Sequence, residues 1–139
     1  MDEELVSAYR RTRYRVADQG YAFTMLIDQP CLALQECMVR ARVREAACIT
    51  AWNPRSVPTS REANDMAQRG LLAELAQLAW PLLHGAGVDP DGHWPSEPSL
   101  LILGISRDEA SALGRSYGQN AIVAASIGDA ATPRLVLLV

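Results

Sequence analysis

Leu100-Leu101-Ile102-Leu103 is followed almost at once by Ser106-x-x-Glu109. The first group is short enough for a strand and apolar enough to be covered on both faces. The second is a capping box, in which a serine and a glutamate side chain satisfy the free backbone N–H groups that open a helix. A buried strand that runs into a capped helix restricts the chain to folds in which helices pack on a sheet.

The same alternation recurs along the chain. Residues 46–51 form another short apolar run, and Thr59-x-x-Glu62 is a second capping box. It predicts a helix over residues 60–79, with Ala63, Met66, Leu71, Leu75 and Leu78 as the apolar stripe. A further helix is expected over residues 30–42, where Pro30 fits the first turn. The helix that starts at Ser106 should stop near Gly118, which suits a left-handed cap.

Residues 99–105, 121–127 and 135–139 read as strands, and residues 9–16 and 21–27 as a hairpin turned by Asp18-Gln19-Gly20. Residues 81–83 form a short strand before a loop over 85–98 that is dense in Gly, Pro and Asp. The expectation is an α/β protein, a single domain over residues 1–139. Its mixed β-sheet would hold about five or six strands, with three helices.

Composition narrows the chemistry. All thirteen basic residues are arginine, so mechanisms that need a lysine nucleophile, a Schiff base or a Walker lysine are excluded. A net charge of -3 argues against duplex DNA as a partner, which calls for a basic face. Arg10, Arg11, Arg13 and Arg15 would nevertheless give an N-terminal strand one basic side. No apolar run approaches the roughly 20 residues that span a bilayer, so no membrane partner is expected. Cys31, Cys37 and Cys48 form no CxxC pair and follow no secretory signal. They read as small apolar packing groups in a reducing, cytoplasmic setting. Oligomeric state is left open.

Several motifs occur in a fixed order: Tyr9-Arg10-x-Thr12-x-Tyr14, Thr50-Ala51-Trp52-Asn53-Pro54, Asn64, Trp94-Pro95-x-Glu97-Pro98-Ser99 and Gly118-Gln119-Asn120-Ala121. Together they resemble the bacterial domain-of-unknown-function family 3293 over nearly the whole chain. The resemblance implies a small stand-alone domain and carries no activity with it.

The residues themselves suggest a site. Trp52 offers a stacking face, Asn53 and Asn64 offer paired donors and acceptors, and Arg55 offers a fork for a carboxylate or phosphate. Gln119 and Asn120, between a helix and a strand, either cap backbone groups or face the same place. Glu97 is held between Pro95 and Pro98 and has the chemistry of a general acid or base. The leading expectation is non-catalytic binding of a small anionic or nucleotide-like ligand by Trp52, Asn53, Arg55, Asn64, Gln119 and Asn120. One alternative is an enzyme with Glu97 as acid/base and Arg55 as anion stabiliser. Another is a protein-interaction module built on the Arg-rich N-terminal strand.

His84, Asp89, Asp91 and His93 match neither a zinc spacing nor a complete calcium loop, so no metal is expected. No phosphate-binding glycine motif, HExxH or G-x-S-x-G is present, and no cofactor is expected.

Overall fold

The structure, a computed structural model, describes residues 1–139. The elements are α1 (Glu3–Arg11), β1 (Arg13–Asp18), β2 (Tyr21–Met25), α2 (Leu32–Arg40), β3 (Glu45–Ile49), α3 (Arg61–Leu75), β4 (Leu82–Val88), β5 (Glu97–Leu103), α4 (Arg107–Ser116), β6 (Ala121–Ser126) and β7 (Arg134–Leu137), with 3-10 turns at Pro54–Ser56 and Ile127–Asp129. The strands form one sheet in the order β2-β1-β4-β5-β3-β6-β7.

Every neighbouring pair is antiparallel. This corrects the expected mixed sheet of five or six strands with three helices: there are seven strands and four helices. The helical connections do return the chain in its original direction, so β3 and β4 are parallel, as are β5 and β6. In each case an antiparallel strand lies between them, β5 in the first and β3 in the second. No parallel ladder forms.

Alternation along the strands divides the core in two. Ala46, Cys48, Leu101, Leu103 and Val123 face one side, where Leu34, Cys37 and Met38 of α2 cover them. Ala47, Ile49, Leu100, Ile102 and Ile122 face the other, against Leu71 and Leu75 of α3 and Ala110 of α4. β3 and β5 are thus buried on both faces, as their composition requires. The sheet curls around the α2 side, and its two ends approach: the Asp28 N–H donates to the Pro133 carbonyl at 2.8 Å. All three cysteines are free and buried on that side. No helix is long and apolar enough to cross a membrane.

The N-terminal expectation is corrected. Residues Glu3–Arg11 are helical: Asp2 accepts the Glu4 N–H at 2.9 Å, acidic residues occupy the first turn, and Arg10 and Arg11 the last. That charge order complements the helix dipole. Two of the four arginines therefore leave the expected strand. Arg10 pairs with Asp28 at 2.9 Å and Arg11 with Asp91 at 3.8 Å, while Arg13 and Arg15 are exposed on β1.

Two further boundaries move. The cap of α3 is Ser60, which accepts the Ala63 N–H at 3.1 Å, and not Thr59. Its buried face is Asn64, Leu71 and Leu75, whereas Met66 and Leu78 of the expected stripe are exposed. β4 continues through Gly85 and Gly87, which read as loop because glycine weakens a strand. At Gly85 the reason is contact: a Cβ there would lie 2.2 Å from the Arg15 carbonyl oxygen on β1.

Candidate functional site

β3 ends at Ile49, and the chain then bends away under hydrogen bonds from its own polar residues. The Thr50 hydroxyl donates to the Pro98 carbonyl at 2.7 Å, and the Gln68 side chain of α3 accepts the Ala51 N–H at 2.9 Å. Asn53 is left-handed (φ 44°), a conformation asparagine tolerates better than most residues.

Asn64 holds it there from α3. Asn64 Oδ1 accepts the Asn53 N–H and Asn64 Nδ2 donates to Asn53 Oδ1, both at 2.8 Å. Asn53 Nδ2 is left to donate to Glu97 Oε1 at 2.9 Å. A relay of two amides therefore fixes the carboxylate at the start of β5 from the start of α3.

Beside this relay lies a cavity of about 220 Å³, between α1 and the strand ends. Its floor follows the sheet register: Tyr14 on β1 is opposite Gly87 on β4, which is opposite Glu97 on β5. Gly87 contributes no side chain, which leaves the space between Tyr14 and Glu97 open. Leu5, Ala8 and Tyr9 of α1 form the roof, and Cys48, Ser99 and Val123 the deeper wall. The Tyr14 hydroxyl donates to the Tyr9 carbonyl at 3.1 Å, and the Tyr9 and Ser56 hydroxyls are hydrogen bonded.

Glu97 is the one charged residue of the lining. Burial raises its carboxyl above the ordinary 4.5, and the Asn53 amide pulls it part of the way back. Burial also raises the Tyr14 hydroxyl and pushes the Cys48 thiol up to about 11, so both are neutral at pH 7.

The consequence for stability has a definite sign. A carboxyl raised in the folded state holds its proton more tightly there than in the unfolded chain. The cost of keeping it ionised is absent below 4.5, grows as pH rises toward the raised value, and is constant above it. Glu97→Gln should therefore melt above the wild type at pH 7, with the difference vanishing below about pH 4. A variant that melts lower at pH 7 would show that the Asn53 hydrogen bond outweighs burial.

The expected site residues separate into two groups. Trp52, Asn53, Glu97 and Gln119 line the cavity. They converge because β5, β3 and β6 are neighbours. Gln119 Nε2 donates to the Trp52 carbonyl at 3.3 Å and ties the two together. Asn64 is buried behind Asn53, outside the lining. Arg55 is exposed and left-handed (φ 59°), and its backbone N–H donates to the Gly118 carbonyl at 2.7 Å. Asn120 reaches Ser56 Oγ at 3.4 Å, also outside the lining.

Sequence reasoning missed Tyr9, Tyr14, Gly87 and Cys48 as lining residues. The signal for Tyr14 and Gly87 is the strand register, which no local pattern carries. In the loop over residues 89–96, the Asp89 carboxylate accepts the Asp91 and His93 N–H groups at 2.9 and 2.8 Å, and these hold it below the usual range. No group of three or more His, Cys, Asp or Glu is gathered that could hold a metal ion.

The model of the family described as "Protein of unknown function (DUF3293)" matches residues 49–122, more than half of the chain. The chain belongs to this family. The DUF3293 span takes in Trp52, Asn53, Asn64, Gly87, Trp94, Glu97 and Gln119, whereas α1 and Tyr14 precede it. No curated protein and no solved structure matches the chain.

Proposed function

We propose that this chain is a small-molecule binding domain, whose site is the cavity beneath α1. The observation that carries the reading is a partly open, mostly apolar cleft with a single half-buried carboxylate in its lining. An apolar cavity of about 150 Å³ is large enough to bind benzene. The present one, about 220 Å³, is below the usual range for drug-sized ligands and suits a compact occupant. An anion does not fit this lining, because Arg55 lies outside it and Glu97 is negative.

Acid–base catalysis is the second reading, favoured by the raised Glu97 carboxyl. It lacks a partner group, since nothing else charged lines the space. The interaction reading keeps only Arg13 and Arg15 on β1, because Arg10 and Arg11 close a helix.

Benzyl alcohol, a neutral probe of suitable size, tests the binding reading. Its titration should shift the amide resonances of Tyr14, Gly87 and Glu97 saturably. Gly87→Val, which fills the floor, should abolish those shifts without lowering the melting temperature by more than a few degrees. Shifts confined to other surfaces, or none, would sink the reading.

A further inference from the structure

We propose that the cavity selects organic ammonium ions: a compact apolar body bearing a protonated nitrogen that pairs with Glu97 among aromatic rings. The inference rests on the binding reading above and names its ligand class.

The first observation is the state of Glu97. A carboxylate drawn partly out of water is favoured by a cationic partner, more so as its surroundings become apolar. This chain carries thirteen arginines, yet none forms an ion pair with Glu97. Asn53 Nδ2 is the single donor that reaches it, on Oε1 alone. The fold places a negative charge in a largely apolar space and leaves one oxygen without a protein donor.

The second observation is independent of the first. Four of the eight aromatic residues (three Trp, four Tyr, one Phe) line this one cavity: Tyr9, Tyr14, Trp52 and Trp94. They come from α1, β1, the turn after β3 and the loop before β5. Such gathering is unlike a shared apolar stripe on one element. Aromatic faces carry negative potential and attract a cation, most strongly where water is excluded. Carboxylate and rings therefore favour the same ligand charge, and the apolar remainder accommodates its body.

Gly87 sets the size. It separates Tyr14 from Glu97 in the register, and a Cβ added there would meet Thr12 Cγ2 at 3.4 Å and Tyr14 Cε1 at 4.0 Å. Branches beyond that Cβ would enter the space between Tyr14 and Glu97 and take the volume the ligand needs.

A series of similar size tests the class: benzylamine, benzyl alcohol and benzoate, titrated calorimetrically at pH 7 into wild type, Glu97→Gln and Gly87→Val. Wild type should bind benzylammonium at least tenfold more tightly than the alcohol, and benzoate more weakly than both. Glu97→Gln should bring the amine to the level of the alcohol and leave the alcohol unchanged. Gly87→Val should remove both. Equal affinity for amine and alcohol, tighter benzoate, or an amine preference that survives Glu97→Gln would overturn the ammonium class and leave the cavity as a binding site. Absence of binding by both amine and alcohol, or binding that survives Gly87→Val, would overturn the cavity reading as well. The wild-type comparison stands without either variant, should one fail to fold.

Discussion

Gly85→Ala should drop the melting temperature by more than about 10 °C, whereas Gly87→Ala, two residues along the same strand, should be nearly silent. The contrast comes from what each new methyl would touch. At Gly85 it would lie 2.2 Å from the Arg15 carbonyl oxygen and 3.2 Å from its carbon, both backbone atoms of a paired strand. Only separation of β1 from β4 would relieve this, and that opens the ladder carrying Tyr14. Overpacking against mobile side chains costs about 1–3 kcal/mol, and a fixed backbone places this site at or above that range. At Gly87 the nearest atom is a methyl at 3.4 Å, an ordinary contact. Thermal unfolding followed by circular dichroism measures both. A Gly85→Ala protein that melts with the wild type would mean that the Val16–Gly85 register is not the one populated.

Asn64→Ala should cost about 2–4 kcal/mol, or roughly 10 °C in melting temperature. Asn64 is 3% exposed and gives Asn53 two hydrogen bonds at 2.8 Å, one of them to its backbone N–H. Removal leaves that N–H without an acceptor and releases a left-handed residue from the contacts that hold it. Asn53 would then lose its alignment on Glu97, so binding of benzylamine should weaken together with stability. Arg55→Ala, at an exposed position, should stay within about 0.5 kcal/mol. If Asn64→Ala melts with the wild type, the two amides do not support each other as described.

The parts of the fold that were legible are those whose signals are local. Ser106 and Glu109 form the expected capping box, each bonding the other's backbone N–H. The Asp18-Gln19-Gly20 turn joins two strands in the expected hairpin, with Gln19 and Gly20 at positive φ. The N-terminal helix was hidden although its signals were present: Asp2 as cap, Glu3 and Glu4 after it, Arg10 and Arg11 at its end. The alternation of residues 9–16 competed with them, and only residues 13–16 of that run are in a strand.

The site divides along the same line. Trp52, Asn53, Glu97 and Gln119 stand at strand ends, where α/β architecture gathers polar groups, and they converge. Arg55 does not, because a left-handed backbone two residues after Asn53 turns the chain outward to meet Gly118. Tyr14 and Gly87 are 73 residues apart and meet only through the β1–β4 pairing. Nothing near either residue announces the other.

The attachment of α1 differs in kind from that of the strands it covers. Apart from buried Ala8, the Tyr9–Ser56 hydrogen bond and the Tyr14 hydroxyl on the Tyr9 carbonyl, its fixed points are two exposed ion pairs, Arg10–Asp28 and Arg11–Asp91. Asp28 is shared with Arg134 at 3.0 Å, so one carboxylate fastens the roof to the last strand. Exposed pairs of this sort contribute about 0–1 kcal/mol each and are screened as ionic strength rises. Raising ionic strength should therefore loosen α1 before β3 and β5, and faster amide hydrogen exchange in α1 than in those strands would show it. For a neutral occupant, salt would quicken entry and exit together and leave the equilibrium between them in place. Exchange with the cavity would then answer to charges on the surface, and affinity to the groups inside.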